Sequence, residues 1–201
     1  MPGRLFLTRV PEMAAWLGVA CPDEPERSNI APGQEVLCLT ELGLGRARWG
    51  MIPVGRVNAR GRPVMETIVN ARSETVFDKS AFAGVSRAVV PCDGWYEWTG
   101  ARGRRVPWRI ARADGQPVAF AAIRDVWAAP GGREVAQVAT VTCPPNADVA
   151  AIHDRMGVIL ERSAVEVWLS GSAEDAAALM QPAPAGTLTV EKAEGVDWAG
   201  P

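Results

Sequence analysis

Glu97 stands in the run Val90-Pro91-Cys92-Asp93-Gly94-Trp95-Tyr96-Glu97-Trp98, a carboxylate set among large aromatic side chains. Low local polarity disfavours the charged form, so such a carboxyl stays partly protonated near neutral pH and can act as a general acid. A rim carboxylate bonded to a backbone amide also fits, and on this stretch alone it is the commoner case, because strand carboxylates mostly face water. His153, in Ile152-His153-Asp154-Arg155-Met156, is the only histidine in the chain. Imidazole titrates nearest neutral pH, so any such chemistry falls to His153; a ring satisfied by a backbone carbonyl is the alternative. Beside it, Asp154 and Arg155 suit a charge pair or a phosphate contact equally. Asn70-Ala71-Arg72 offers an amide and a guanidinium from one turn, and guanidinium suits phosphate. An asparagine that merely closes the turn is the other reading.

Basic residues cluster as Arg46/Arg48, Arg56/Arg60/Arg62 and Arg102/Arg104/Arg105. Each is either a solvated charged loop or part of a groove that tracks a phosphate backbone. The chain carries eight Trp against one Tyr and four Phe, and flat indoles such as Trp49 and Trp98 can stack on bases as well as fill a core. The formal net charge is −2, which excludes a basic field over the whole protein and confines nucleic-acid contact to a local patch. Cys21, Cys38, Cys92 and Cys143 are too scattered for zinc-ligand spacing, and no metal or cofactor is expected. No apolar run approaches the roughly 20 residues of a membrane span, and Met1-Pro2-Gly3-Arg4 leads into too short an apolar stretch for a signal peptide. The expectation is a cytoplasmic protein with reduced thiols.

The elements that must position these residues are short. Apolar spacing predicts a helix over Pro11–Ala20 with Pro11 near its start, a loop over Cys21–Ser28 and a turn at Asn29–Gly33. Strands are expected at Glu35–Thr40 and Gly45–Ile52, and a basic loop at Asn58–Pro63. Asn70–Glu74 reads as a turn that could cap a helix, followed by a short helix over Phe77–Ala83 and a strand over Ser86–Val90. Asp93-Gly94 is a turn, after which Trp95–Trp98 enters a strand, with Trp95 and Glu97 on one face and Tyr96 and Trp98 on the other. Trp98–Trp108 forms a hairpin with its tip at Thr99–Arg105. Strands follow at Pro117–Trp127 and Glu134–Thr142, then a helix over Asn146–Ile152 and a strand over Met156–Leu160. Helices at Ser163–Leu169 and Ala173–Met180 precede a last strand at Leu188–Glu191. With no internal repeat or dividing linker, one α+β domain over residues 1–201 is expected, around a twisted, partly closed, β-barrel-like sheet with peripheral helices.

Taken in order, Asn29-Ile30-Ala31-Pro32-Gly33, Trp49-Gly50-Met51-Ile52-Pro53, Asn70-Ala71-Arg72-Ser73-Glu74, the aromatic run ending at Trp98, and Ile152-His153-Asp154-Arg155-Met156 resemble the SOS-response-associated peptidase (SRAP) family. The likeness runs from Gly3 to about Trp168. It implies a monomeric, SRAP-like domain that recognises abasic sites in single-stranded DNA during the DNA-damage response. Family members remove the initiator Met and use the new N-terminal cysteine, whose amine and thiol trap the ring-opened sugar aldehyde as a thiazolidine. By the resemblance, Asn70, Glu97 and His153 are catalytic. Gly3, Arg4, Trp49, Arg72, Trp98 and Arg155 are implied to face DNA, with Arg4 and Arg72 on phosphates.

The chain departs from the family pattern at position 2, where Pro2 stands in place of the cysteine. Gly157 replaces a proline usual after the His-x-Arg motif, and the tail from Gly186 lacks an Asn-containing segment. Removal of Met1 would expose a secondary amine on Pro2, which can add to an aldehyde and give an iminium. An iminium acidifies the adjacent sugar carbon, and loss of the 3′ phosphate by β-elimination then becomes a lyase reaction with Glu97 or His153 as base. Two further readings stand beside this one: a pseudoenzyme that binds single-stranded DNA without bonding to it, and substitution of the missing thiol by Cys92.

Overall fold

The computed structural model describes residues 2–53, 67–78, 84–101, 103–129 and 131–200. Its strands are Arg4–Leu7 (β1), Arg27–Ile30 (β2), Glu35–Thr40 (β3), Gly43–Trp49 (β4), Asn70–Arg72 (β5), Ser86–Cys92 (β6), Gly94–Thr99 (β7), Val106–Arg112 (β8), Val118–Ala128 (β9), Glu134–Cys143 (β10), Met156–Gly157 (β11) and Leu188–Lys192 (β12). The α-helices are Val10–Leu17 (α1), Val165–Ser170 (α2) and Ala173–Leu179 (α3). One antiparallel sheet runs β12-β8-β7-β1-β2. The other runs β11-β10-β4-β3-β6-β9, and β9 returns to pair with β10, so the sheet is ring-like. This is the expected α+β architecture, with a curled sheet partly closed on itself and helices at its margin.

The chain passes from one sheet to the other at Asp93, between β6 and β7. A Cβ on the next residue, Gly94, would lie 2.2 Å from the Ile110 carbonyl oxygen, so β7 approaches β8 as closely as it does only because that residue has no side chain. Asp93 is buried, and its Oδ2 accepts from the Thr8 amide at 2.7 Å, the Thr8 hydroxyl at 3.0 Å and the Arg9 amide at 3.1 Å. These donors open α1, whose first turn has no side-chain cap of its own. One carboxylate therefore satisfies backbone donors at the helix start and pins the β1–α1 corner to the bend that leads into the aromatic strand. The helix ends at Gly18 in the left-handed region, φ 71°, as a C-terminal glycine permits.

Several local expectations are corrected. Arg27–Ile30 is a strand rather than loop and turn, because the free edge of β1 takes it up, with Leu5 opposite Ile30. Asn70–Arg72 is a short strand lying parallel to β10. Asn146–Ile152 is a series of turns, not a helix: Asn146 Oδ1 does accept from the Val149 amide at 3.3 Å. The chain must then return antiparallel to β10 at Met156, which leaves no length for further helical turns. Of the helix expected over Phe77–Ala83, Phe77 and Asp78 lie in a turn; positions 79–83, and the loop Asn58–Pro63, are outside the described residues. α3 carries a capping box between Ser172 and Asp175. Among the described residues no helix is long and apolar enough to cross a membrane.

Trp95, from the first sheet, and Phe120 and Gly157, from the second, pack in series in the main core. The Trp95 and Phe120 rings meet edge to face at 5.3 Å, and a Cβ on Gly157 would sit 2.2 Å from Phe120 Cε1. Gly157→Ala is therefore expected to destabilise the fold by about 1–3 kcal/mol, the scale of an overpacked core, read as a lowered denaturant midpoint. An unchanged midpoint would mean that Phe120 moves aside freely.

Candidate active site

Glu97 sits near the end of β7, buried on the side that also carries Trp95 into the main core, while Tyr96 and Trp98 pack on the opposite face. The alternation read from the sequence is thus the alternation of the strand. β1 lies against β7 with Arg4 opposite Tyr96 and Leu5 opposite Trp95. Continued by one residue, this register sets Gly3 beside Glu97, and the start of the chain arrives at the carboxyl. Burial pushes the Glu97 pKa up to about 7, against the pull of the positive amino terminus. A carboxyl with this pKa is divided between acid and base forms at neutral pH.

Asn70 reaches the same place from the other sheet. Its Nδ2 donates to the Pro2 carbonyl at 3.2 Å, and its Oδ1 accepts from the Thr140 hydroxyl on β10. Pro2 itself is buried. His153 hangs from the far end of β10, in the turn before β11. Its Nδ1 accepts from the Arg155 amide at 3.0 Å and lies 2.8 Å from Asp154 Oδ1. A ring nitrogen that accepts from an amide carries no proton, so the neutral ring keeps Nε2–H; the Asp154 contact becomes an ion pair only when a proton is added. Burial holds the His153 pKa below its ordinary value, and the amino-terminal charge lowers it further. Asp154 in turn helps to raise Glu97. Pro2, Glu97, Asn70 and the His153 turn therefore share one neighbourhood, although β7, β5 and β10 bring them from separate parts of the chain.

The residues expected on DNA are placed less uniformly. Arg72 is exposed, and Gly3 and Trp98 are half-buried. Arg4 Nη1 donates to Asn29 Oδ1 at 3.2 Å. Arg155 meets both oxygens of Glu74, at 2.5 and 2.9 Å, and also donates to the Thr142 carbonyl; its hydrogen bonds draw the Glu74 carboxyl down to about 2. In this arrangement Arg155 fastens the His153 turn to Glu74 and β10. Trp49 is fully buried in the main core, so its indole has no open face for a base, and the stacking role expected for it is corrected to packing. Arg46 pairs with Glu24 at 2.8 Å and Arg48 donates to the Gly50 carbonyl at 2.7 Å, which ties that cluster to its own chain. Arg104 and Arg105 are exposed on the hairpin; Arg56, Arg60, Arg62 and Arg102 fall outside the described residues. Cys92 is buried and burial pushes its thiol well up, which removes it as a stand-in nucleophile.

Sequence reasoning missed three contributors. From sequence Asp93 is only half of a turn; its role appears once the fold buries it against the Thr8 and Arg9 amides. Thr140, a hydroxyl among the apolar residues of β10, was passed over. So was the tail: Ala193 and Val196 pack against Phe6 and Tyr96, and the Trp198 ring meets those of Tyr96 at 5.0 Å and Trp98 at 5.2 Å. Asn29 Nδ2 donates to the Asp197 and Gly200 carbonyls at 3.0 and 2.7 Å.

Known proteins share both sequence and fold with this chain. Over 150 residues it is 33% identical to the abasic site processing protein YoaM of Bacillus subtilis (strain 168), spanning 71% of this chain and 65% of that protein. It is 34% identical over 158 residues to the abasic site processing protein YedK of Escherichia coli (strain K12), spanning 74% and 68%. The chain thus covers about two thirds of the length of these relatives. A crystal structure of a Bordetella bronchiseptica protein matches with TM-score 0.81 at 25% identity, over 96% of this chain and 100% of that one. Another, from Bacteroides thetaiotaomicron, has the same TM-score at 21% identity over 96% and 92%, a likeness of fold. The family profile described as SOS response associated peptidase (SRAP) matches residues 1–195, nearly the whole chain, and on that match the protein belongs to the SRAP family.

Proposed function

We propose that this protein processes abasic sites in single-stranded DNA, by self-removal of Met1 and capture of the lesion's aldehyde on Pro2. The observation that carries this reading is the hydrogen bond from Asn70 to the Pro2 carbonyl, beside a buried Glu97 poised near neutral pH. The names of the relatives, abasic site processing proteins, support the abasic-site part of this reading. Hydrolysis of the Met1–Pro2 bond by water releases methionine and a secondary amine. The Pro2 nitrogen attacks the aldehyde carbon of the ring-opened sugar to give a carbinolamine. Glu97, in its acid form, donates a proton to the departing hydroxyl, and loss of water leaves an iminium on C1. Water can reverse that step. Alternatively a base takes the C2 proton, either Glu97 as carboxylate or neutral His153 once its Nδ1 is released from the Arg155 amide; the electron pair forms the new double bond and the 3′ phosphate leaves, nicking the strand. Arg4, Arg72, Trp98 and the exposed hairpin residues Arg104 and Arg105 hold the strand by phosphate contact and stacking.

The test is incubation with a single-stranded oligonucleotide carrying one abasic site, with and without borohydride. Reduction of the iminium to an amine should give a stable covalent band, and without reductant only transient adducts or nicked product should appear. Binding should weaken steeply with salt, since phosphate contacts release counterions, and should exceed that for blunt duplex. Salt-dependent binding with no reducible adduct would instead establish the non-covalent single-strand binder. Absence of binding would overturn the proposal altogether.

A further inference from the structure

We infer that Thr140 is a positioning residue, one that holds the Asn70 carboxamide in the orientation that grips residue 2. The inference rests on the reading of Pro2 and Asn70 just proposed. Thr140 stands in register with Asn70 across the parallel β5–β10 pair, and its amide donates to the neighbouring Val69 carbonyl at 3.1 Å. Adjacent strands set facing side chains about 5 Å apart, and the hydroxyl meets Asn70 Oδ1 directly.

The chemistry leaves one arrangement. The Pro2 carbonyl can only accept, so the carboxamide must turn its NH2 toward it; Oδ1 then faces Thr140 and can only accept in turn. The Thr140 hydroxyl is therefore the donor. Thr140 is fully buried, between Val138, Ala139 and Val141, which are themselves fully buried. A hydroxyl there is unfavourable unless it is bonded, and valine would fill the same space without that cost. What valine lacks is the proton that tells one end of the Asn70 carboxamide from the other. Without it the amide is free to rotate, the Pro2 carbonyl loses its donor for part of the time, and residue 2 drifts from the acid that serves it.

Thr140→Val is expected to slow borohydride-trapped adduct formation by about tenfold or more, the scale on which small misplacement of a reacting group acts. DNA affinity should stay within about twofold, because Thr140 touches no proposed DNA contact. Thr140→Ser, which keeps the hydroxyl, should restore the rate. A Val variant that reacts like wild type, or a Ser variant as slow as the Val variant, would overturn the inference. So would an equal loss of affinity in the Val variant, which would mark Thr140 as packing alone. A second readout does not depend on the reaction. The Asn70 side-chain NH2 resonances, assigned by their disappearance in Asn70→Asp, should be dispersed and slow to exchange in wild type and should move toward free-amide positions in Thr140→Val. Unmoved resonances would sink the inference. If wild type forms no adduct while these resonances shift as described, the fault lies with the proposed capture reaction and the role of Thr140 in orienting Asn70 stands.

Discussion

Replacing Pro2 with cysteine is expected to change a short-lived adduct into a lasting crosslink. Proline offers an amine and no sulfur, so its product with an aldehyde stops at the iminium, which water reverses. An N-terminal cysteine makes the same imine through its amine and then adds its own thiol to the imine carbon. The ring that closes is a thiazolidine; the nitrogen keeps a proton and no charge remains to invite hydrolysis. The thiol acts from within the same residue, at an effective concentration of roughly 10⁵ M or more, so ring closure outruns the return of water. The site is suited to receive the change because Asn70 grips position 2 through its backbone carbonyl rather than its side chain. Without reductant, the wild-type protein should show at most a trace of covalent DNA, and Pro2→Cys should carry most of the lesion as a heat-stable band. Loss of Met1 is checked by intact mass. A Pro2→Cys protein that is processed and binds DNA but never crosslinks would mean the groove does not deliver the aldehyde to residue 2, and Glu97 and His153 would then have no capture chemistry to perform.

The second large effect belongs to Glu97. Glu97→Gln keeps the shape and removes the titratable proton, so adduct formation should slow by about 10²-fold or more, the usual scale for a lost acid–base group. Binding should be unchanged. The pH dependence has a definite sign. With its pKa raised to about 7 by burial, Glu97 is an acid donor below that pH and a carboxylate above it. The gap between wild type and variant in carbinolamine dehydration should therefore be widest below pH 7 and shrink above. The same burial acts on the fold. The ordinary value is 4.5, so between there and about 7 the folded protein holds a proton that the unfolded chain has released. Stability must fall as pH rises through this window, by about 3 kcal/mol at the outside, and the fall should be missing from Glu97→Gln. Melting curves at pH 5 and pH 8 test this: equal losses in both proteins would place the titration on another group.

How much of this was legible in the chain itself differs from residue to residue. The two faces of β7 were open to reading because side chains alternate strictly along a strand, and the aromatic composition made one face apolar enough to shift a carboxyl. The start of α1 was open for a similar reason, since Pro11 marks it locally; its end was not, and the helix expected to reach Ala20 stops at Leu17 before Gly18. What could not be read is whatever depends on a partner far away in sequence. Nothing near Asn70 announces that its three-residue strand lies parallel to β10, because a short parallel pairing has no local turn to betray it. Trp49 carries the same residue type whether it stacks on a base or fills the core, and only the closure of the ring around it decides. Arg46 looks like part of a basic groove until Glu24 is found beside it. Asn146 does cap a turn as its type suggests; the helix it would have started is cut short by the demand that Met156 pair with Cys143.

The contact between Asn29 and the tail has a practical corollary. A single carboxamide holds Arg4 with its oxygen and the Asp197 and Gly200 carbonyls with its nitrogen, so the start of β1 and the segment 197–200 meet at one amide. An affinity tag in front of residue 2 would mask the amine outright. One joined behind residue 201 would tug on the segment that steadies Arg4 from the other side. Both choices of handle disturb the same few ångströms of surface, and protein prepared for assay is best released from either by a protease that leaves no scar.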